Sequence, residues 1–110
     1  MSRADRLAAL KAAAKQRILI LDGSWGGYLQ GKKLEEPDFR GDRFKGHNMP
    51  LKGDFDVLNL TRPDLMTEIA DAYYGAGADI IETNTFNATR ISQGEYGLEG
   101  AVRDINLNAA

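Results

Sequence analysis

Ile18-Leu19-Ile20-Leu21-Asp22-Gly23-Ser24 opens with four apolar residues, two of them β-branched, and then turns abruptly polar. A short run that is apolar on both faces suits a buried parallel strand, and Asp-Gly marks its carboxyl end. Ala78-Asp79-Ile80-Ile81-Glu82, followed by the polar Thr83-Asn84-Thr85, reads as a second strand. Between them Leu65, Ile69, Ala72, Tyr73 and Ala76 recur at helical spacing on one face. Thr61 is placed to cap this helix, Pro63 fits its first turn, and Asp64 favours the helix dipole. Gly77 is placed to end it in a left-handed conformation. Strand, helix and strand in this order predict a right-handed βαβ crossover with a parallel pair.

Outward from this unit, residues 4–15 form a predicted helix with Leu7, Leu10 and Ala14 on one stripe. Residues 31–62 contain Pro37, Gly41, Gly46, Pro50 and Gly53 among dense charges. They read as an extended βα-loop, with one short helix near 28–33. Long loops of this kind are often functional. Leu98, Val102, Ile105 and Ala109 keep helical spacing to the last residue. Two strands with two or three helices leave open sheet edges and unpartnered helix faces. The remainder is therefore expected from a missing or separate chain, with truncation the favoured reading.

Composition narrows the function classes. A net charge of −2 gives no reason to expect nucleic acid or an anionic membrane as partner. The chain has no cysteine, so it holds no disulfide, thiolate ligand or thiol nucleophile of its own. No segment reaches the roughly 20 apolar residues of a membrane span. The start mixes charges into its apolar residues rather than forming a signal sequence, so a cytoplasmic location is expected. His47 is the only histidine and lacks a second ligand at metal spacing. It reads as a solvated loop residue. Asp38, Asp42, Asp54 and Asp56 do not fit a calcium loop and read as solvated, or paired with Arg40, Arg43 and Lys52. Tyr73 and Tyr74 read as packing residues.

Ligands of parallel α/β proteins bind at the carboxyl ends of strands. Asp22-Gly23-Ser24 and Thr83-Asn84-Thr85 stand at those two ends. An Asp there could hold an ammonium, a Gly lets backbone amides approach a carboxylate, and a Thr hydroxyl can donate to the same group. That mixture suits an amino-acid-like ligand. Asp22-Gly23 could equally serve only as a turn, and Thr83 only as a helix cap. The Asp22–Gly27 stretch matches neither glycine-rich nucleotide motif, and the bulk of Trp25 argues against a pyrophosphate.

Five stretches together carry a family resemblance: Ile18–Gly23, Pro37–Phe44, Leu51–Gly53, Asp56–Thr61 and Ala76–Phe86. They resemble, in register over about residues 17–108, the homocysteine-binding domain of the homocysteine S-methyltransferase family. Asp38–Phe44 and Leu51–Gly53 resemble its cobalamin-dependent methionine synthase branch in particular. The resemblance implies an α/β fold: the first two β/α units of a (β/α)₈ TIM barrel, incomplete in this chain. Residues 1–16 would be a leading helix and 17–110 the two units. It implies transfer of a methyl group from methylcobalamin, derived from methyltetrahydrofolate, to the thiol of homocysteine. A zinc ion would hold that thiolate through cysteines of later strands, so neither zinc nor cobalamin is expected on residues of this chain. The resemblance places Asp22 at the homocysteine amino group with Gly23 beside it, and Thr83 near the carboxylate; Ser24 and Asn84 are further candidates. No residue of the chain is expected to be catalytic, and the chain alone is expected to be inactive. The alternatives are a non-catalytic module that completes a barrel with a separate chain, or a cobalamin-independent homocysteine methyltransferase. One departure stands out. Ser24-Trp25-Gly26-Gly27 replaces the small and thioether residues usual after Asp-Gly, so Trp25 either fills space or crowds the pocket.

Overall fold

A computed structural model describes all 110 residues. The chain opens with helix α1, Arg3–Gln16, capped reciprocally by Ser2 and Asp5: each side chain accepts the other's backbone N–H. Short helices α2 (Trp25–Gly31) and α3 (Glu36–Arg40) follow. A 3₁₀ turn at Phe55–Val57 runs directly into α4 (Leu58–Thr61), and α5 spans Pro63–Gly75. The last part holds α6 (Arg90–Gly94), a 3₁₀ turn at Glu99–Ala101, and α7 (Val102–Ala109). No helix is long and apolar enough to cross a membrane.

The expected β/α units of a TIM barrel are not formed, and there is no sheet. Ile18–Leu21 and Ala78–Glu82 meet at a single isolated parallel bridge between Leu21 and Ile80. The Asp22 amide donates to the Ile80 carbonyl at 3.0 Å, and the Asp79 and Ile80 amides both converge on the Ile20 carbonyl. The apolar run is not buried: Ile18 is 88% exposed and Ile20 56%. A ladder grows when layers on its two faces take up its side chains. Here the pair is only partly covered, by α1 across an open cleft, and the contact is held at its start by polar groups. Arg17 grips Asp79 with both guanidinium nitrogens, and Asp79 accepts from the Ile20 amide at 2.9 Å.

The core lies elsewhere. Leu29 of α2, Phe39 of α3, Leu51, Val57, Leu58 of α4, Leu65 and Ile69 of α5, and Leu98 and Ile105 near the end form one buried cluster. The four-residue α4 sits at its centre, packed on α3, α5 and α7. Much of this cluster comes from residues 31–62, expected to be an extended loop. Glu36 and Arg40 explain the difference. They are paired one helical turn apart on α3 at 2.9 Å. The Glu36 carboxylate accepts from the amides of Leu51 and Lys52. The Arg40 guanidinium donates to the carbonyls of His47 at 2.6 Å and Met49 at 2.8 Å. A stretch with no ladder of its own thus has its backbone groups satisfied by two side chains, and Leu51 is fully buried as a result. The same amides help hold the Glu36 carboxyl below its usual range, against the opposing effect of its partial burial.

Helix α5 meets expectation at its end but only in part along its face, since Ala72 and Ala76, expected on the apolar stripe, are exposed. Leu65 and Ile69 are buried, Pro63 occupies the first turn, and Gly77 takes φ +108°. The amides of Gly77 and Ala78 close back on Tyr74 and Tyr73, the paired bonds of a left-handed helix stop. Thr61 is not its cap: its hydroxyl donates to the Val57 carbonyl, and Arg62 stands at the start, forked between Asp38 and Asp64. His47 is not simply solvated either. It is half-buried, with Nε2 at 2.6 Å from the Tyr96 carbonyl oxygen. Of the acidic series, Asp54 and Asp56 are buried, 2% and 3% exposed. Arg40, Arg43 and Lys52 pair with Glu36, Asp104 and Glu35 rather than with that series.

Arg40→Met is expected to destabilise the chain by about 1–3 kcal/mol, because it leaves half-buried carbonyls without their donor and the Glu36 carboxylate without its counter-charge. Arg40→Lys should not restore it, since one ammonium cannot span both carbonyls and the carboxylate. Urea unfolding checks this, and a wild-type midpoint for either variant would refute the role given to Arg40.

Candidate functional site

The turn after Leu21 and the turn after Ile81 open into one cavity of about 610 Å³, lined by residues 23–26, 55–56 and 82–87. That volume lies in the range of small-molecule sites. Trp25, Phe55 and Phe86 are the hydrophobic side chains of the wall, and the other lining residues are polar or glycine.

Local bonds fix the first turn tightly. Ser24 caps α2 by accepting the Gly27 amide at 2.9 Å, and its carbonyl accepts the Tyr73 hydroxyl at 2.6 Å. The Tyr73 ring then lies so close to Gly23 that a Cβ there would stand 2.8 Å from a ring carbon. Only glycine fits without moving Tyr73. Asp22 itself is not in the wall. Its Oδ2 accepts from the indole N–H of Trp25 at 2.6 Å and from the Glu82 amide at 3.0 Å, which ties the two turns together. Its Oδ1 is buried without a partner.

In the second turn Thr83 and Thr85 share a hydroxyl–hydroxyl bond of 2.7 Å on the cavity side. Whichever hydroxyl accepts keeps its own proton free, so the pair offers one donor to a ligand. Asn84 is 7% exposed and largely engaged within the protein. Its side-chain amide donates to the Phe55 carbonyl at 2.8 Å, and its backbone carbonyl accepts from the Asn59 side chain at 2.7 Å. Asn84 therefore holds the 55–56 segment against the second turn. Of the five residues singled out from sequence, Gly23, Ser24, Thr83 and Asn84 reach the cavity, and Asp22 stands behind Trp25.

Sequence reasoning missed Phe55 and Asp56, which lay in the presumed loop, and gave no role to Phe86 or Asn87. The available signal was the apolar pair Val57-Leu58 after Asp54-Phe55-Asp56, which marks a buried segment. The Asp56 carboxylate accepts from the Asn87 amide at 2.8 Å, and burial raises its pKa. Asp54, one residue beyond Phe55, is shifted further. Burial, opposed by a 2.9 Å bond from Gln93 and reinforced by the charge of Asp56, lifts its pKa from 3.8 to about 6. One oxygen of Asp54 and the Gln93 side-chain oxygen are buried without partners, a polar arrangement that favours the protonated acid.

No three His, Cys, Asp or Glu side chains come together to hold a metal ion. Asp56 and Glu82 are the carboxylates on the cavity wall, and Asp56 is already bonded to Asn87. The residues present do not fit a thiolate-rich zinc centre. Asp38–Phe44 and Leu51–Gly53 fold on or beside the Glu36–Arg40 pair and take no part in the wall.

Residues 19–110 match the family model described as homocysteine S-methyltransferase.

The raised Asp54 pKa sets a pH dependence. The folded chain holds this proton more tightly than the unfolded chain, so the group's contribution to stability is full below pH 3.8 and is lost as pH rises through about 6. Asp54→Asn is expected to remove that loss and stabilise the chain at pH 7.5 by on the order of 1–3 kcal/mol. Thermal unfolding of both proteins between pH 4.5 and 7.5 measures it, and parallel curves would refute it.

Proposed function

The chain belongs to the homocysteine S-methyltransferase family, and we propose that these residues form the amino-acid-recognising part of a site that methylates the homocysteine thiol. The observation that carries this reading is the convergence of the Asp22 and Thr83 turns on one cavity of small-molecule size. Asp22 supplies an anion for the ligand's ammonium, and the Thr83–Thr85 pair supplies a hydroxyl proton for its carboxylate. Gly23 keeps the first turn free of a side chain where Tyr73 approaches.

Methyl transfer forms a sulfur–carbon bond, breaks the donor–methyl bond and releases the thiol proton. A thiol with its ordinary pKa near about 8.5 is mostly protonated at neutral pH, so an activating group is required. The chain has no cysteine and gathers no metal-ligand set. We therefore assign these residues to binding and orientation, and thiol activation and the methyl donor to groups outside them. The likeness of Asp38–Phe44 and Leu51–Gly53 to the cobalamin-dependent branch favours methylcobalamin as the donor in the complete enzyme.

The 110-residue chain is expected to bind homocysteine weakly, with a millimolar dissociation constant, to hold less than stoichiometric zinc, and to transfer no methyl group from methylcobalamin. Asp22→Asn should weaken homocysteine binding by about tenfold or more through loss of the charge-assisted partner. Calorimetric titration and elemental analysis check both parts. Tight stoichiometric zinc, or unchanged affinity in Asp22→Asn, would overturn them.

A further inference from the structure

Trp25 is the only tryptophan of the chain. It is the first residue of α2, and its ring forms part of the cavity wall. Its indole N–H donates to Oδ2 of Asp22 at 2.6 Å, and Asp22 is itself absent from the wall. The Glu82 amide occupies the same oxygen from the other turn, while Oδ1 is buried and unpartnered. The carboxylate is therefore half satisfied and shielded, and the side chain bonded to it is one that faces the cavity.

We propose that Trp25 gates Asp22: its indole holds the carboxylate closed, and the primary ammonium of an amino-acid ligand opens it by replacing the indole on Oδ2. The exchange favours the ligand. An ammonium is a charged donor, roughly twice as strong toward a carboxylate as a neutral N–H. It carries three N–H groups, so it can also serve the empty Oδ1. The Glu82 amide stays in place and keeps the two turns joined. Trp25 needs only a side-chain rotation, and the neighbouring Gly26 has no atom within 4 Å of where its Cβ would be. A ligand without an amino group has nothing with which to displace the indole, so the gate selects for the ammonium. Closure also lowers apparent affinity by the closed fraction, and removing the gate should tighten binding.

The proposal rests on the amino-acid site described above, and the test separates the two. The full chain, labelled with ¹⁵N, gives one indole N–H resonance. Homocysteine should move it upfield as the carboxylate bond is lost, whereas 4-mercaptobutanoate, the same molecule without its amino group, should not. Trp25→Phe, which keeps a ring and removes the donor, should bind homocysteine about tenfold more tightly. A merely structural role would give weaker binding, never tighter. An indole resonance unmoved at saturation, or equal or weaker binding by Trp25→Phe, overturns the gate and leaves the site standing if Asp22→Asn still loses affinity. Unchanged affinity in Asp22→Asn, or no saturable binding by wild type and Trp25→Phe alike, brings down the gate and the site together.

Discussion

The pairing of Glu36 with Arg40 on a five-residue helix organises the middle of this chain. Residues 41–54 have no ladder to satisfy their backbone, and a buried backbone group without a partner is costly. The two side chains supply the partners, one as acceptor for the Leu51 and Lys52 amides, the other as donor to the His47 and Met49 carbonyls. With that stretch folded back, Leu51 reaches the core beside Phe39, and the 3₁₀ turn at Phe55–Val57 enters α4 at the centre of the cluster. Asn59 and Asn84 then connect this centre to the second turn of the cavity. The site depends on an ion pair that takes no part in its wall.

Local patterns were legible wherever the element needs only itself. The proline start of α5, the burial of Leu65 and Ile69 and the glycine stop follow from spacing and backbone preference, and the structure places them accordingly. Ile18–Leu21 reads as a strand because four consecutive apolar residues suit a buried one, with Ala78–Glu82 as its partner, but burial requires layers on both sides. With Ile18 and Ile20 open to solvent, the runs meet at one bridge only. The opposite error befell residues 31–62. Their prolines, glycines and charges argue locally for a loop, whereas the satisfaction of that loop by Glu36 and Arg40 is a tertiary fact without periodicity. Thr61 was a plausible cap by type, but its hydroxyl turned back to Val57 and left the position to Arg62.

The two turns singled out from sequence line one cavity, but how their groups are engaged is not legible in the sequence. Asp-Gly and Thr-Asn-Thr attract notice by residue type. That the Asn84 amide is bonded to Phe55, that the two threonine hydroxyls serve each other, and that Asp22 faces an indole are matters of geometry between segments distant in sequence. Asp54 and Asp56 looked like surface charges because acidic residues usually are. Their burial beside Gln93 and Asn87 follows from the folding of the middle segment, which no local pattern announces.

The leading helix has a different standing from everything after it. None of the α1 residues is buried, and the helix faces the body across an open cleft of about 570 Å³. The side-chain tether recorded just beyond its end is the forked contact of Arg17 with Asp79, in which the arginine is half exposed. Electrolyte should consequently act unevenly on this molecule. Its apolar cluster is not weakened by screening, but an ion pair open to solvent on its arginine side weakens once the screening length falls to about 3 Å near 1 M. Concentrated salt thus loosens the junction between helix and body, where no α1 side chain is buried to hold it, while the apolar core stays packed.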